Sequence, residues 1–251
     1  HIPNFALTAA EYVVRDAAAE QGGGFFNNLF CPLTDNKSAA VLSDGGTAYL
    51  LGKSDQGEQL HNALLEIPHG SILGRAEIVR STCSEKEYQF IPKDFAFLNP
   101  SEQLQAPPLA DTISINPVAS IADLHEFCSL KAAFFFEESG TKVEADDLLA
   151  HLKKGYMGIK PVTMRHGEKV IGMVSSNLNS RRSAMINMLY IAKEARAKGY
   201  GSLLLRWYMS HLLESSPSIC LFYSPNNAPA VKLYDSLGFE KKEDWILALK
   251  R

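Results

Sequence analysis

Apolar residues recur along this chain at two spacings, and each spacing predicts a different element. Ala9 to Glu20 reads as a helix that Gly22-Gly23-Gly24 stops. Ser38 to Ser43 and Thr47 to Leu51 flank Asp44-Gly45-Gly46 and predict a hairpin. Glu58 to Glu66 carries Leu60, Leu64 and Leu65 at helical spacing before Pro68, and Ile72 to Val79 and Tyr88 to Ile91 read as strands. Ser101 to Gln105 is polar and aperiodic between Asn99-Pro100 and Ala106-Pro107-Pro108. A boundary there gives an N-terminal α/β domain, 1–105, and a second domain, 106–251.

The second half alternates strands and helices. Asp111 to Ile115 predicts a strand. Ser120 introduces a helix with Leu124, Phe127, Cys128 and Lys131 near one face, and Asp123 early against the dipole. Phe134-Phe135-Phe136-Glu137-Glu138 follows, then a helix from Val143 to Lys153 that Gly155 ends. Pro161 to Arg165 and Lys169 to Ser175 form a hairpin around His166-Gly167-Glu168, and Met185 to Ile191 is a third strand. A helix from Leu203 with Leu204, Trp207, Tyr208 and Leu212 at helical spacing leads to a buried strand, Ile219 to Tyr223. The domain is therefore α/β (α+β).

Composition narrows the chemistry. Apolar residues are 46% and charged residues 21% of 251, the balance of a chain that buries a core. A net charge of -3 and no basic block give no footprint for nucleic acid. Cys31, Cys83, Cys128 and Cys220 are far apart and form no Cys-x-x-Cys pair, so free thiols and no metal site are expected. No apolar run reaches the roughly 18 residues of a membrane span and no signal-peptide pattern stands out, so no membrane contact and a cytoplasmic location are expected. Oligomeric state is not readable.

Between the strand ending at Ile191 and the helix from Leu203 lies Arg196-Ala197-Lys198-Gly199-Tyr200-Gly201-Ser202. A strand, a glycine-rich turn and a helix start together present backbone N–H groups to an anion. A dinucleotide fingerprint needs glycine where Leu204 stands, and a triphosphate loop needs Gly-Lys-Ser/Thr, whereas Lys198 precedes its glycine. Asn227-Ala228-Pro229-Ala230-Val231-Lys232-Leu233-Tyr234-Asp235-Ser236-Leu237-Gly238-Phe239 then predicts a short helix with Asn227 as N-cap, Pro229 in the first turn and Gly238 as stop.

The first of these stretches, read as Arg-x-x-Gly-x-Gly, resembles the pyrophosphate loop of the Gcn5-related N-acetyltransferases (GNAT). The second is similar to that family's Asn-x-x-Ala-x-x-Leu-Tyr-x-x-x-Gly-Phe signature. The resemblance covers roughly 111–251. It implies a mixed, mostly antiparallel sheet flanked by helices, acetyl-CoA as donor and a small-molecule or peptide amine as acceptor. Carried onto this chain, it implies that Arg196, Ala197, Lys198, Gly199, Tyr200, Gly201, Ser202, Asn227 and Ala230 hold coenzyme A. A backbone N–H among Leu189, Tyr190 and Ile191 would serve the thioester carbonyl, and Tyr234 would protonate the leaving sulfur. Some members place a glutamate where Met185 stands, and no carboxylate occurs from Met185 to Ile191. Asn187 holding a water, or Glu137 or Glu138 from the opposite wall, are the open choices for the base, with Phe136 beside them as an acceptor contact. A non-catalytic acetyl-CoA-binding module is the competing reading. The first half is either a degenerate unit of the same kind or an unrelated cap that shapes the acceptor pocket.

Overall fold

A computed structural model of the chain describes residues 28–30, 40–43, 46–100, 104–155, 160–177 and 183–251. The helix expected over Ala9 to Glu20, the triple glycine, Cys31 and the turn residues Asp44 and Gly45 lie outside them. In chain order the elements begin β1 Asn28–Phe30, β2 Ala40–Ser43, β3 Thr47–Leu51, α1 Gly57–Leu65, β4 Ser71–Arg75, α2 Ala76–Thr82 and β5 Tyr88–Leu98. They continue as β6 Ile113–Pro117, α3 Ile121–Ser139, α4 Ala145–Gly155, β7 Lys160–His166, β8 Lys169–Asn177 and β9 Ala184–Ile191. The last are α5 Tyr200–Leu212, β10 Ile219–Tyr223, α6 Ala228–Ser236 and β11 Glu240–Lys250. By contacts the chain divides into one unit of 1–97 with 222–251, and another of 98–221. This division groups 222–251 with the first half, whereas the boundary at 105/106 follows local composition.

In the first unit β1, β2 and β3 pair antiparallel in sequence, β3 pairs parallel with β4, and β11 lies between β4 and β5, antiparallel to both. The hairpin expected from 38–43 and 47–51 is the β2–β3 pair. Strand β11 was not expected, because Glu240 to Asp244 is polar throughout. Its second half is central: Trp245, Ile246 and Ala248 are buried, and Trp245 packs on Phe95 and Phe222 with ring centroids 5.9 and 4.9 Å away. The strand expected over Ile72 to Val79 is a correction. It ends at Arg75, and Ala76–Thr82 is helical. Ile78 and Val79 favour strands by propensity, but as α2 they insert into the cluster of Leu50, Leu60, Leu64, Ile72 and Ile246.

Gly57, the first residue of α1, is squeezed by α2. A Cβ built on it would lie 2.4 Å from the Ser81 carbonyl oxygen, which is backbone and cannot swing away. Gly57→Ala is therefore expected to destabilise the fold by about 1–3 kcal/mol, although alanine is the better helix former. Urea unfolding of the two proteins measures it.

The second unit carries the strand order β10-β9-β8-β7-β6, antiparallel except for β9 with β10. Helices α3 and α4 pack on it through Phe127, Cys128 and Leu152 against Met173, Met188 and Tyr190. α5 packs on β8 and β9 with Leu204, Leu205 and Tyr208 buried, and the Tyr208 hydroxyl donates to Ser176 Oγ at 2.7 Å. Ser120 and Asp123 cap α3 reciprocally, each side chain accepting the other's backbone N–H at 3.1 Å. The helix outlasts the reading from sequence: it includes Phe134 to Ser139 and stops where Gly140 adopts φ 71. Glu137 and Glu138 thus stand on the last turn of α3. Cys83, Cys128 and Cys220 are free and buried. Among the described residues no helix is long and apolar enough to cross a membrane.

Candidate functional site

The site in the second unit starts with a fault in β9. Ser175 pairs with Met188 and Ser176 with Ile186, so Asn187 is an extra, bulged residue. A bulge bends its strand and increases its twist, and here pairing with β10 stops at Ile186 and Leu221. From Asn187 to Ile191, β9 runs on without a strand on that side among the described residues. The Ala192 N–H donates to the Ile171 carbonyl at 2.9 Å. Peptide groups alternate between the two edges of a strand, so the amides of Leu189 and Ile191 point away from β8 and that of Tyr190 points toward it. Two of the three amides expected to serve a carbonyl therefore face the open edge. The Asn187 Oδ1 accepts from Ser175 Oγ at 2.7 Å.

The loop after β9 is built as a cradle. A 3-10 turn, Lys193–Ala195, leads to Arg196, and then Ala197 and Gly199 take φ 61 and 80 before α5 begins. Glycine accepts that conformation without strain. Ala197 does not, and among the described residues it is the one non-glycine with positive φ; such strain concentrates at functional sites. The Arg196 N–H bonds the Lys193 carbonyl and the Leu203 N–H bonds that of Gly199. Between them, the amides from Ala197 through Ser202 have no acceptor among the described residues. Successive N–H groups around left-handed residues, at the positive end of a helix, form a concavity suited to a phosphate. The Lys198 ammonium, exposed beside it, donates to the Glu194 carbonyl at 3.3 Å.

Beside the cradle, Glu137 joins α3 to β9 and the loop. Its Oε1 accepts the Tyr190 hydroxyl at 2.6 Å, and its Oε2 accepts the Arg196 guanidinium at 2.7 Å. Lys193 lies 3.7 Å from Oε1. Arg196 also donates through Nε to the Ile191 carbonyl at 2.8 Å and sits 5.2 Å from the centre of the Tyr190 ring. Burial pushes the Glu137 carboxyl up, but the hydrogen bonds from Tyr190 and Arg196 and the Arg196 charge outweigh it, leaving it below the usual range. Burial, then the bond to Glu137, push Tyr190 up to about 12. A pocket of about 300 Å³ opens here, lined by Leu130, Ala133, Phe136, Glu137, Tyr190 and Lys193 among others. Phe136 is half exposed beside it. Glu138 stands one residue further along the turn.

The second motif lies in the first unit. Asn227 Oδ1 accepts the Ala230 N–H at 3.2 Å, the N-cap expected from sequence. Gly238 takes φ 83 after the helix. Tyr234 is buried on the inner face of α6, 5.2 Å from the Tyr223 ring and 5.8 Å from Phe239.

Among the described residues each unit shows a parallel strand-helix-strand crossover, β9-α5-β10 in the second and β3-α1-β4 in the first. They differ where a ligand would sit. In the first unit the helix starts through a 3-10 turn at Ser54–Gln56, the Lys53 N–H is taken by Gln56 Oε1 at 2.9 Å, and Ser81 covers Gly57. The sequence reading missed this pairing of crossovers, and it missed the Glu137 network, because partners far apart in sequence leave no local pattern. Asn187 was singled out, but nothing in the sequence marked it as a bulge.

The sequence profile of the acetyltransferase (GNAT) family matches residues 124–239. Residues 124–239 belong to the acetyltransferase (GNAT) family. The GNAT match takes in the bulge, the cradle and both motifs. Solved structures extend the likeness of fold beyond it. A Drosophila protein is 12% identical, with a TM-score of 0.67 over 97% of this chain and 88% of its own. A GCN5-related N-acetyltransferase from Kribbella flavida is 13% identical, with a TM-score of 0.59 over 96% and 94%. The tandem GNAT protein from the clavulanic acid biosynthesis pathway is 13% identical, with a TM-score of 0.56 over 84% and 78%. At such identities the likeness is one of fold. No protein of curated function matches the sequence.

Proposed function

We propose that the protein transfers an acetyl group from acetyl-CoA to a primary amine, by direct attack on the thioester. The observation that carries this reading is the run of amides from Ala197 through Ser202, without acceptors among the described residues and following the open edge of β9. Acetyl-CoA brings an acyl group activated as a thioester and a diphosphate. In this reading the cradle that follows Arg196, made of Ala197, Lys198, Gly199, Tyr200, Gly201 and Ser202, holds the diphosphate, and Asn227 and Ala230 complete the cofactor contacts. The N–H of Leu189 or Ile191 stabilises the carbonyl oxygen as it gains charge. The amine nitrogen forms the new amide bond and loses a proton, the C–S bond breaks, and Tyr234 donates its proton to the sulfur.

On the acceptor side we place Phe136, Glu138 and the bulged Asn187. Glu137 borders the same pocket, but its paired carboxylate binds a proton less readily than an ordinary one and makes a poor base. A water near Asn187 fits the task better. We further propose that 106–251 is the acetyltransferase domain and that the first half is a degenerate unit of the same kind. Its crossover is closed by Gln56 and Ser81, so one coenzyme A per chain is expected.

Calorimetric titration with coenzyme A tests the donor side, with a stoichiometry near one expected. At 100 times the dissociation constant, ligand should add about 2.7 kcal/mol of stability, seen as a raised thermal midpoint. Thiol release from acetyl-CoA with a broad amine panel tests the chemistry. Absence of both thermal protection and thiol release would sink the proposal. Protection without thiol release favours the non-catalytic binder, which the absence of a carboxylate from Met185 to Ile191 also motivates.

A further inference from the structure

We propose that Glu137 is a positioning residue that locks the donor cradle to the open edge of β9, and that Arg196 serves this lock rather than the phosphates. The proposal rests on the donor-site reading above. Both carboxylate oxygens are in use, Oε1 by the Tyr190 hydroxyl at 2.6 Å and Oε2 by Arg196 at 2.7 Å. These partners stand near the end of β9 and just after the 3-10 turn of the loop, while Glu137 stands on the last turn of α3. One side chain thus fixes three elements.

Helix polarity makes this placement informative. A carboxylate in a last turn faces the negative end of the dipole and is unfavourable there. Glu137 is offset by Arg196, Lys193 and the Tyr190 hydroxyl. A local rule broken and compensated by a specific network marks a position with a task.

The task follows from what Arg196 reaches. Its Nε bonds the Ile191 carbonyl at 2.8 Å, a group that points to the open edge where no strand pairs with it. Its other end is held by Glu137, and its central carbon lies 5.2 Å from the centre of the Tyr190 ring. The guanidinium so bound ties the last peptide of β9 to the start of the cradle. Anion binding falls to the amides from Ala197 to Ser202 and to Lys198. Arg196 is the motif residue whose charge invites assignment to phosphate, and the geometry points to a different role.

The test uses the full chain and three variants, Glu137→Gln, Arg196→Gln and the double variant. Glutamine keeps the shape of Glu137 and can accept from Tyr190, but its amide nitrogen cannot accept from Arg196. We expect Glu137→Gln to weaken coenzyme A binding about tenfold by calorimetry and to raise KM for acetyl-CoA equally, with kcat and the acceptor KM within about threefold and the thermal midpoint nearly unchanged. The double variant should be no weaker than Arg196→Gln alone, because both remove one lock. Unchanged coenzyme A affinity in Glu137→Gln, or additive losses in the double variant, overturns the lock. A fall in kcat or a rise in acceptor KM alone would instead make Glu137 a base or an acceptor contact, and would equally overturn it. If the unsubstituted protein binds no coenzyme A, the donor reading fails first and the lock with it.

Discussion

Replacing Tyr234 with phenylalanine is expected to lower kcat by about 100-fold or more while coenzyme A affinity stays within about threefold. The substitution removes one oxygen from a ring held by Tyr223 and Phe239, and those contacts are made by ring carbons that phenylalanine retains. Packing should therefore survive. In the proposed reaction the departing thiolate needs a proton as the C–S bond breaks, and the hydroxyl is its assigned source. Stopped-flow or steady-state thiol release gives kcat, and calorimetry gives the affinity. An unchanged kcat would return Tyr234 to a purely packing role, as the inner face of α6.

The second large effect concerns stability. Phe127→Ala is expected to destabilise the protein by about 3–5 kcal/mol, because the side chain is fully buried and its removal leaves a cavity. For a chain of this size that lowers the thermal midpoint by roughly 10 °C. Phe127 is packed with Cys128, Leu152, Met173, Met188 and Tyr190. The loss would loosen α3 from β8 and β9, and with it the seat of Glu137 on Tyr190. Differential scanning calorimetry checks the size of the shift. A fall of only a few degrees would mean that α3 collapses onto the space.

The donor motifs were legible because they are local. Arg196 to Ser202 and Asn227 to Phe239 each carry their glycines, caps and spacing within one stretch, and local physics alone predicted a turn and a helix where the structure has them. The hairpins and the strand-helix-strand run β9-α5-β10 followed from apolar spacing and turn residues for the same reason, whereas the mostly antiparallel sheet was implied by the family resemblance. What escaped depends on partners distant in sequence. Strand β11 looks polar until Trp245, and its pairing with β4 and β5 supplies the reason it is a strand. Ala76 to Thr82 carries β-branched residues, and burial of Ile78 and Val79 against α1 and β4 overrides their propensity. Glu137 read as one of two acidic residues after an aromatic run. Its meaning came from Tyr190 and Arg196, more than fifty positions away.

Strand β11 also sets an order of events during synthesis. β4 and β5 do not pair with each other; each pairs with β11, which is translated after every other described element. Until Glu240 to Lys250 leaves the ribosome, the facing edges of β4 and β5 carry unpaired N–H and C=O groups, the kind of edge that recruits foreign strands. The segment 98–221, by contrast, already has its whole sheet by then, from β6 to the paired residues of β10. The segment 98–221 can thus settle while the first unit waits for its last strand, and a nascent chain stalled before Trp245 would combine an ordered loop at Arg196 to Ser202 with open, aggregation-prone edges on β4 and β5.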